Sequence, residues 1–234
     1  MSVINITIPA FNEEAILKNN ILKLANFCAK NLTDDWFIIV ANNNSKDSTP
    51  KICEGLNKNN SKIICLNLNK QGKGLAIQTG WQNWPADYYI FMDADLSTSL
   101  EGLPRLIAEL KKNNDLVIGS RTLRESQTKR SLLRKIVSYT FRLIIRQSLK
   151  LKLTDFACGF KGASQKIIET IVPQIKNQEW FWDTELLYLA NQNGLKIKEI
   201  PVQWTETPDI KRKNSLNIFS VSLKYLKAIL LVIR

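Results

Sequence analysis

The chain has no histidine among its 234 residues. That absence excludes a Ser/His/Asp triad, imidazole acid-base catalysis and His-rich zinc sites, leaving carboxylates, cationic side chains and bound metal as the means of chemistry. Cysteine is sparse: Cys28, Cys53, Cys65 and Cys158 lack paired metal-ligand spacing and read as buried, reduced thiols rather than a disulfide framework. With no signal peptide, this points to the cytosol. No long apolar run is present, since the stretch from Ala228 to Ile233 falls far short of the roughly 20 residues that span a bilayer. Nor is there a Gly-x-x-x-x-Gly-Lys-Ser/Thr loop, which disfavours a nucleotide hydrolase. Acids are outnumbered by bases, 21 to 33, and the net charge of +12 calls for an anionic partner: nucleic acid, a phosphorylated small molecule or an acidic membrane surface.

What is present in the first 120 residues is an alternation of short β-branched runs with helical patterns. Val3 to Ile8, Trp36 to Ala41, Lys62 to Asn67, Tyr88 to Met92 and Asp115 to Gly119 read as strands; Glu13 to Lys30, Pro50 to Lys58, Lys73 to Trp84 and Leu103 to Lys112 read as helices. Asp47 or Ser48 is the expected start of the helix at Pro50. Such alternation predicts a mostly parallel α/β sheet flanked by helices, with right-handed crossovers that bring the loops after the strands to one edge. Those loops hold Pro9-Ala10-Phe11-Asn12-Glu13-Glu14, Asn42-Asn43-Asn44-Ser45-Lys46-Asp47, Lys70-Gln71-Gly72-Lys73-Gly74 and Asp93-Ala94-Asp95. They are expected to line one crevice.

Asp93 and Asp95 leave a strongly apolar strand together. In isolation, an Asp-x-Asp at such a place either caps the following helix or meets a divalent metal and a phosphorylated ligand. Lys70, Lys73, Arg121 and a basic residue of Lys211-Arg212-Lys213 would add positive charge around phosphates, while Gly72 and Gly74 would permit close backbone approach.

Beyond Gly119-Ser120-Arg121 the texture becomes basic and, from about Ser131, helical. Arg130, Arg134, Ser138, Arg142, Arg146 and Lys150 recur every fourth residue, a row that drifts about 40° per step around a helix. Leu132, Leu133, Ile136, Val137, Leu143, Ile144 and Ile145 are its apolar counterpart, so the segment either lies in a membrane interface or packs on the domain as a surface helix. A third block contains Asp155-Phe156-Ala157-Cys158-Gly159-Phe160-Lys161-Gly162, then Trp180-Phe181-Trp182-Asp183-Thr184-Glu185 opening a helix, then a strand from Lys196 to Val202. Asp183 and Glu185 would ordinarily cap, but aromatic surroundings make an acid costly without a partner, which favours a site. The chain ends in an amphipathic helix over 215–234 that packs on the core, on a second copy or on lipid.

Together, Pro9-x-Phe11-Asn12-Glu13, Asn42-x-x-Ser45-x-Asp47-x-Thr49, Lys70-x-Gly72-Lys73-Gly74, Asp93-x-Asp95, Gly119-Ser120-Arg121 and Cys158-Gly159-Phe160-Lys161 resemble family 2 glycosyltransferases of the GT-A fold. The second half is most similar to polyprenyl-phosphate sugar transferases of the dolichyl-phosphate glucosyltransferase and mannose synthase kind. That similarity rests on Asp155-x-x-Cys158-Gly159-Phe160-Lys161, Trp182-Asp183-Thr184-Glu185-Leu186-Leu187 and Glu199-Ile200-Pro201-Val202-x-Trp204. The resemblance implies a GT-A domain over 1–214 with the helix 131–150 inserted on the acceptor side. It implies that Pro9, Phe11, Glu13, Asn42, Lys73, Ala94, Arg121 and Lys211 border a nucleotide sugar, and that Asp93 and Asp95 hold Mg²⁺ or Mn²⁺. Arg134 and Ser138 match a pair that receives the lipid phosphate. Asn42-Asn43 depart from the family's usual Asp-Asp, which loosens the choice of base.

The expected activity is inverting, metal-dependent transfer of a sugar, with glucose from a UDP-sugar favoured, to a polyprenyl phosphate. The enzyme is expected to sit peripherally on the cytoplasmic face of a membrane, as a homo-oligomer or with a separate anchor protein. An acceptor phosphate arrives ionised and needs no general base, whereas a hydroxyl acceptor would need one from Asp155, Asp183 or Glu185. Asp155 and Asp183 are the expected acceptor-side or sugar-side contacts. The alternatives are transfer to a glycan or lipid hydroxyl and a non-enzymatic nucleic-acid-binding protein; charge placement argues against nucleic acid, because the crevice loops carry acids.

Overall fold

A computed structural model describes residues 1–129 and 142–205, with Tyr225, Ala228, Ile229 and Val232 from the C-terminal segment. Arg134, Ser138 and Lys211 lie outside the described residues, as do 130–141 of the basic segment and most of 215–234.

The apolar alternation of the first strand shows how the sheet is built. In β1 (Val3–Ala10), Ile4, Ile6 and Ile8 are fully buried among Leu17, Ile21 and Leu24 of α1 (Leu17–Asn31) and Cys53 of α2 (Thr49–Asn59). The intervening Asn5 and Thr7 would face water in a half-covered sheet. Here they are buried beneath α3 (Lys73–Asn83), where Asn5 Nδ2 donates to the carbonyls of Gly80 and Trp84 at 3.0 Å each and Thr7 Oγ1 donates to Asn5 Oδ1 at 2.9 Å. Both faces of β1 are therefore covered, as a parallel strand requires, and its polar side chains are satisfied locally.

β2 (Asp35–Asn42), β3 (Ile63–Asn67) and β4 (Tyr88–Met92) run parallel to β1, with Ile6 opposite both Ile38 and Ile90. After α4 (Gly102–Lys111), β5 (Leu116–Ser120) completes the run of strands expected from the sequence. The sheet order is β3-β2-β1-β4-β7-β5-β8, where β7 (Phe160–Ser164) is antiparallel to β4 and β5, and β8 (Ile197–Pro201) is parallel to β5. In the sequence, Phe160-Lys161 belongs to a motif and carries no strand pattern. Topology supplies the reason: the chain leaves β5 at one edge of the sheet and re-enters from that edge, so it can pair only antiparallel. A small parallel pair, β6 (Gln127–Lys129) with β9 (Gln203–Thr205), lies beside this edge.

The second face is covered by α3, α6 (Gln165–Thr170) and α7 (Trp182–Gln192), around a cluster that includes Trp81, Phe91 and Trp182. Phe91 meets Trp182 edge-on at 6.0 Å between centroids and Trp81 meets Trp182 at 5.5 Å, geometries in which ring edges approach ring faces. A helix α5, described over 142–148, packs Ile145 into the same cluster while Leu143 and Ile144 are exposed. Its described turns therefore rest on the domain with one side and present apolar groups on another. Among the described residues no helix is long and apolar enough to cross a membrane.

One expectation is corrected. Cys53 and Cys65 are joined as a disulfide between α2 and β3, with Cα atoms 5.4 Å apart. The 12-residue spacing carries no metal-site or framework signature, and the pairing arises because α2 packs directly against the strand that follows it. Cys28 and Cys158 are buried free thiols, as expected. Burial pushes the Cys28 thiol up to about 12 and the Cys158 thiol up to about 11, with Arg121 opposing the shift at Cys158.

Candidate active site

From β1 the chain proceeds outward through β2 and β3, then crosses back to lay β4 on the other side of β1. The gap between β1 and β4 is thus the point where strand order reverses, the position at which open α/β sheets leave a crevice beyond their strand ends. Phe11 follows one of these strands and Asp93 the other.

The loops at this edge brace each other. Ser45 Oγ accepts from the Asn12 amide at 3.0 Å, Asn12 Oδ1 accepts from the Lys46 amide at 2.8 Å, and Thr49 Oγ1 accepts from the Glu13 amide at 2.9 Å. Asn12 takes a left-handed φ of 54°, a conformation that asparagine tolerates well. Asn42 has both ends of its amide engaged, donating to Asn67 Oδ1 at 2.9 Å and accepting from the Ser45 amide at 3.1 Å. Asn43 Oδ1 accepts from the Gly72 amide at 2.7 Å. The two asparagines therefore rivet the loop after β2 to the end of β3 and to the loop that follows it. The helix start expected at Asp47 or Ser48 falls at Ser48, the residue before α2, while Asp47 Oδ1 accepts from the Thr49 amide at 2.9 Å.

Asp93 projects from this frame with its side chain 41% exposed. Behind it, the Asp93 amide donates to the Gly159 carbonyl at 3.1 Å, and a Cβ on residue 159 would overlap the Asp93 carboxylate. Glycine is required there by close approach. Asp95 is partly exposed and accepts from the Ser97 amide at 3.0 Å, a turn that keeps its carboxylate beside the strand end. Ala94 is buried, and its carbonyl accepts from Asn20 of α1 at 2.9 Å.

Three cations surround the acids. Lys73 Nζ, on the first residue of α3, donates to Asp93 Oδ1 at 2.8 Å and stands 3.8 Å from Asp183 Oδ2. Its ammonium also lies 5.0 Å from the Trp180 ring and 5.4 Å from Phe91. Lys161 of β7 is fully buried and donates to Asp183 Oδ1 at 2.8 Å and to the Cys158 carbonyl at 2.7 Å. Arg121 grips Asp155 in a fork, Nε to Oδ2 at 2.6 Å and one terminal nitrogen to Oδ1 at 2.7 Å, and its guanidinium lies 5.8 Å from the Trp204 ring. Burial alone would raise the Asp93 and Asp155 carboxyls. The charges and hydrogen bonds of Lys73 at Asp93 and of Arg121 at Asp155 outweigh it and hold both below the usual carboxylate range. Reciprocally, burial would lower Lys73 and Arg121, and their carboxylate partners raise both.

The structure thus gathers Asp93, Asp95, Lys73, Arg121, Asp155 and Asp183 at one edge, with Phe11 and Glu13 on the adjoining β1 loop and Pro9 at the end of β1 itself. Glycines 72 and 74 are also required by packing. A Cβ at Gly74 would run into the Trp182 side chain, and one at Gly72 would stand 2.5 Å from the Gln178 carbonyl, so both serve packing of α3 against the α7 approach. Glu185 is neither a cap nor a crevice acid: its two oxygens accept from the Lys176 and Asn177 amides at 3.0 and 2.9 Å. Two side chains escaped assignment from sequence. Lys161, a lone lysine in an otherwise apolar strand, was the available signal for a buried ion pair. Glu199 clasps the amides of Thr154 and Asp155 at 3.0 and 3.2 Å, and no local sequence pattern reveals that reach.

Residues 5–172 match the sequence model of Glycosyl transferase family 2. The chain is a family 2 glycosyltransferase. Dolichyl-phosphate beta-glucosyltransferase ALG5A of Trichomonas vaginalis is 32% identical to this glycosyltransferase over 222 residues, covering 91% of this chain and 68% of the relative. Glycosyltransferase AglD of Haloferax volcanii is 28% identical over 89% of this chain, which spans only 34% of AglD. The fold matches that of glucosyl-3-phosphoglycerate synthase from Mycobacterium tuberculosis solved with Mn²⁺ and UDP-glucose, with a TM-score of 0.68 at 17% identity over 98% of this chain and 78% of that one. The mostly parallel, helix-flanked sheet is thus the GT-A architecture expected from the sequence.

Proposed function

We propose that this glycosyltransferase moves glucose from UDP-glucose to a polyprenyl phosphate at a membrane surface, with inversion at the anomeric carbon. The observation that carries the reading is Asp93 with Asp95 at the reversal point, flanked by Lys73 and Arg121, in a chain similar over nine-tenths of its length to a dolichyl-phosphate beta-glucosyltransferase.

The two carboxylates suit a hard divalent cation. They are oxygen donors, one residue apart, and at least partly open to solvent, with Gly159 leaving Asp93 no side chain behind it. Among the described residues no group of three or more acidic or thiol ligands forms, so oxygens of the donor diphosphate and water would complete the shell. When bound, Mg²⁺ or Mn²⁺ would neutralise charge on the departing nucleoside diphosphate. Lys73 and Arg121 add positive charge beside it, and Pro9, Phe11, Glu13, Asn42 and Ala94 border the nucleotide.

The state of the remaining acids supports a phosphate acceptor over a hydroxyl. A hydroxyl needs a base, and each candidate base is committed: Asp155 to Arg121, Asp183 to Lys161, Glu185 to two backbone amides. A phosphate acceptor arrives ionised and asks for positive charge instead, which Arg134 and Ser138 are proposed to supply with the basic segment. Asp155 and Asp183 then act by positioning Arg121, Lys161 and Lys73. The exposed Leu143 and Ile144 beside Arg142 and Arg146 suit a membrane surface. We assign 1–214 to the catalytic domain and 215–234 to an amphipathic helix, with Lys211 near the diphosphate.

Incubation of membranes containing the enzyme with radiolabelled UDP-glucose and Mn²⁺ tests this reading. The expected product is an acid-labile, alkali-resistant polyprenyl-linked sugar, and label confined to acid-stable polysaccharide would overturn it. Thermal stabilisation by GDP-mannose but not by UDP-glucose would overturn the donor.

A further inference from the structure

Lys73 occupies an unusual place: it holds an acid proposed for metal binding and has a second acid waiting. Its ammonium is 2.8 Å from Asp93 and 3.8 Å from Asp183, the first within hydrogen-bond range and the second just beyond it. Asp183 presents its two oxygens to two different ammoniums, Oδ1 to Lys161 and Oδ2 to Lys73. Because the Lys161 bond is buried and short, Oδ2 stays in place as a receiver. The two ammoniums flank the same ring, Lys161 at 5.3 Å and Lys73 at 5.4 Å from Phe91, and the Trp180 ring lies 5.0 Å from Lys73. The lysine is thus confined to a slot with one carboxylate at each end, and its flexible four-carbon stem lets the ammonium cross about an ångström without moving α3.

We infer that Lys73 is a placeholder cation that neutralises Asp93 in the empty enzyme and transfers to Asp183 when a divalent ion takes Asp93, making Asp183 the receiver of the exchange. This rests on the proposed metal role of Asp93 and Asp95. The exchange keeps the site's charge balanced in both states: Asp93 is never left as an uncompensated anion, and Lys73 is never left beside a divalent ion without an acid of its own. Asp183 is accordingly a positioning residue that acts through Lys73 and has no need to touch substrate.

The test is Mn²⁺ binding by the intact protein without nucleotide, read by paramagnetic resonance of free Mn²⁺, so turnover is not required. Lys73→Met removes the competitor and is expected to tighten Mn²⁺ by roughly ten-fold, the scale of a charge-assisted hydrogen bond. Asp183→Asn removes the receiver and is expected to weaken Mn²⁺ several-fold. In the Lys73→Met background, Asp183→Asn should then change nothing, since no lysine remains to be received. An equal loss from Asp183→Asn with and without Lys73 would show a simple field effect and overturn the exchange. Lys73→Met binding Mn²⁺ no tighter than wild type would overturn it as well, even should Asp183→Asn fail to fold. Failure of every protein, wild type included, to bind Mn²⁺ would remove the metal reading itself and the exchange with it, an outcome distinct from normal binding that ignores Lys73.

Discussion

Two groups of acids at one edge of this fold meet opposite fates. Asp93 and Asp95 stand at the end of β4 with access to solvent, Asp93 bonded to Lys73 and Asp95 accepting from the Ser97 amide. Asp155 and Asp183 lie behind them, each almost fully buried and each bonded to a cation at 2.6 to 2.8 Å. The same residue type therefore stays open to solvent in one place and becomes a strut in the other. Burial decides which: an enclosed carboxylate needs a permanent partner, whereas a half-exposed one can exchange its partner for a ligand.

The contrast is sharpest where a permanent partner is removed. Lys161→Met leaves Asp183 buried without its closest cation, and the expected loss is about 3 to 5 kcal/mol of folding stability, measured by urea unfolding. Stability unchanged within 1 kcal/mol, the range of an exposed pair, would erase the distinction between strut and ligand. At the open end the reverse is expected: Asp93→Asn should lower sugar transfer by on the order of a hundred-fold while shifting the unfolding midpoint little. A variant that unfolds but retains transfer when folded would place Asp93 among the struts.

Acid titration separates the groups more gently. The folded Asp155 carboxyl is depressed below its ordinary 3.8, so the stability it contributes is complete above that value and is lost as pH falls through the lower folded value. Unfolding followed from pH 5 downward should show this loss in wild type and not in Asp155→Asn. The smallest effect concerns the thiols. Denatured without reductant, the protein should alkylate at Cys28 and Cys158 alone, and after reduction at all four cysteines; four labelled thiols without reductant would remove the Cys53–Cys65 link.

Much of this organisation is readable along the chain because it is local. Parallel strands covered on both faces appear as β-branched runs, helices show their spacing, and the loops after β1 through β4 carry Asn, Asp and Gly where the backbone turns. Asp93-x-Asp95 stands out for the same reason, since an apolar strand followed at once by two acids is a contrast within a few residues. Lys161 is visible only as an anomaly in β7, a strand whose antiparallel placement depends on where the chain re-enters the sheet. Cys53 and Cys65 give no signal of their bond, which exists because a helix folds back on the next strand.

The sequence alone therefore determined the α/β class, the edge that carries the candidate site, the family resemblance, and the two acids that face that edge, all consequences of periodicity and of short motifs along the chain. Tertiary structure alone decided which acids stay available. Asp155 is met by Arg121 and Asp183 by Lys161, partners 34 and 22 residues away. Lys73 comes to rest between Asp93 and Asp183 only after α3, β4 and α7 pack. Whether a carboxylate is free to bind depends on the charge that packing brings beside it and on the water that packing removes, and neither quantity is carried by a residue's neighbours in sequence.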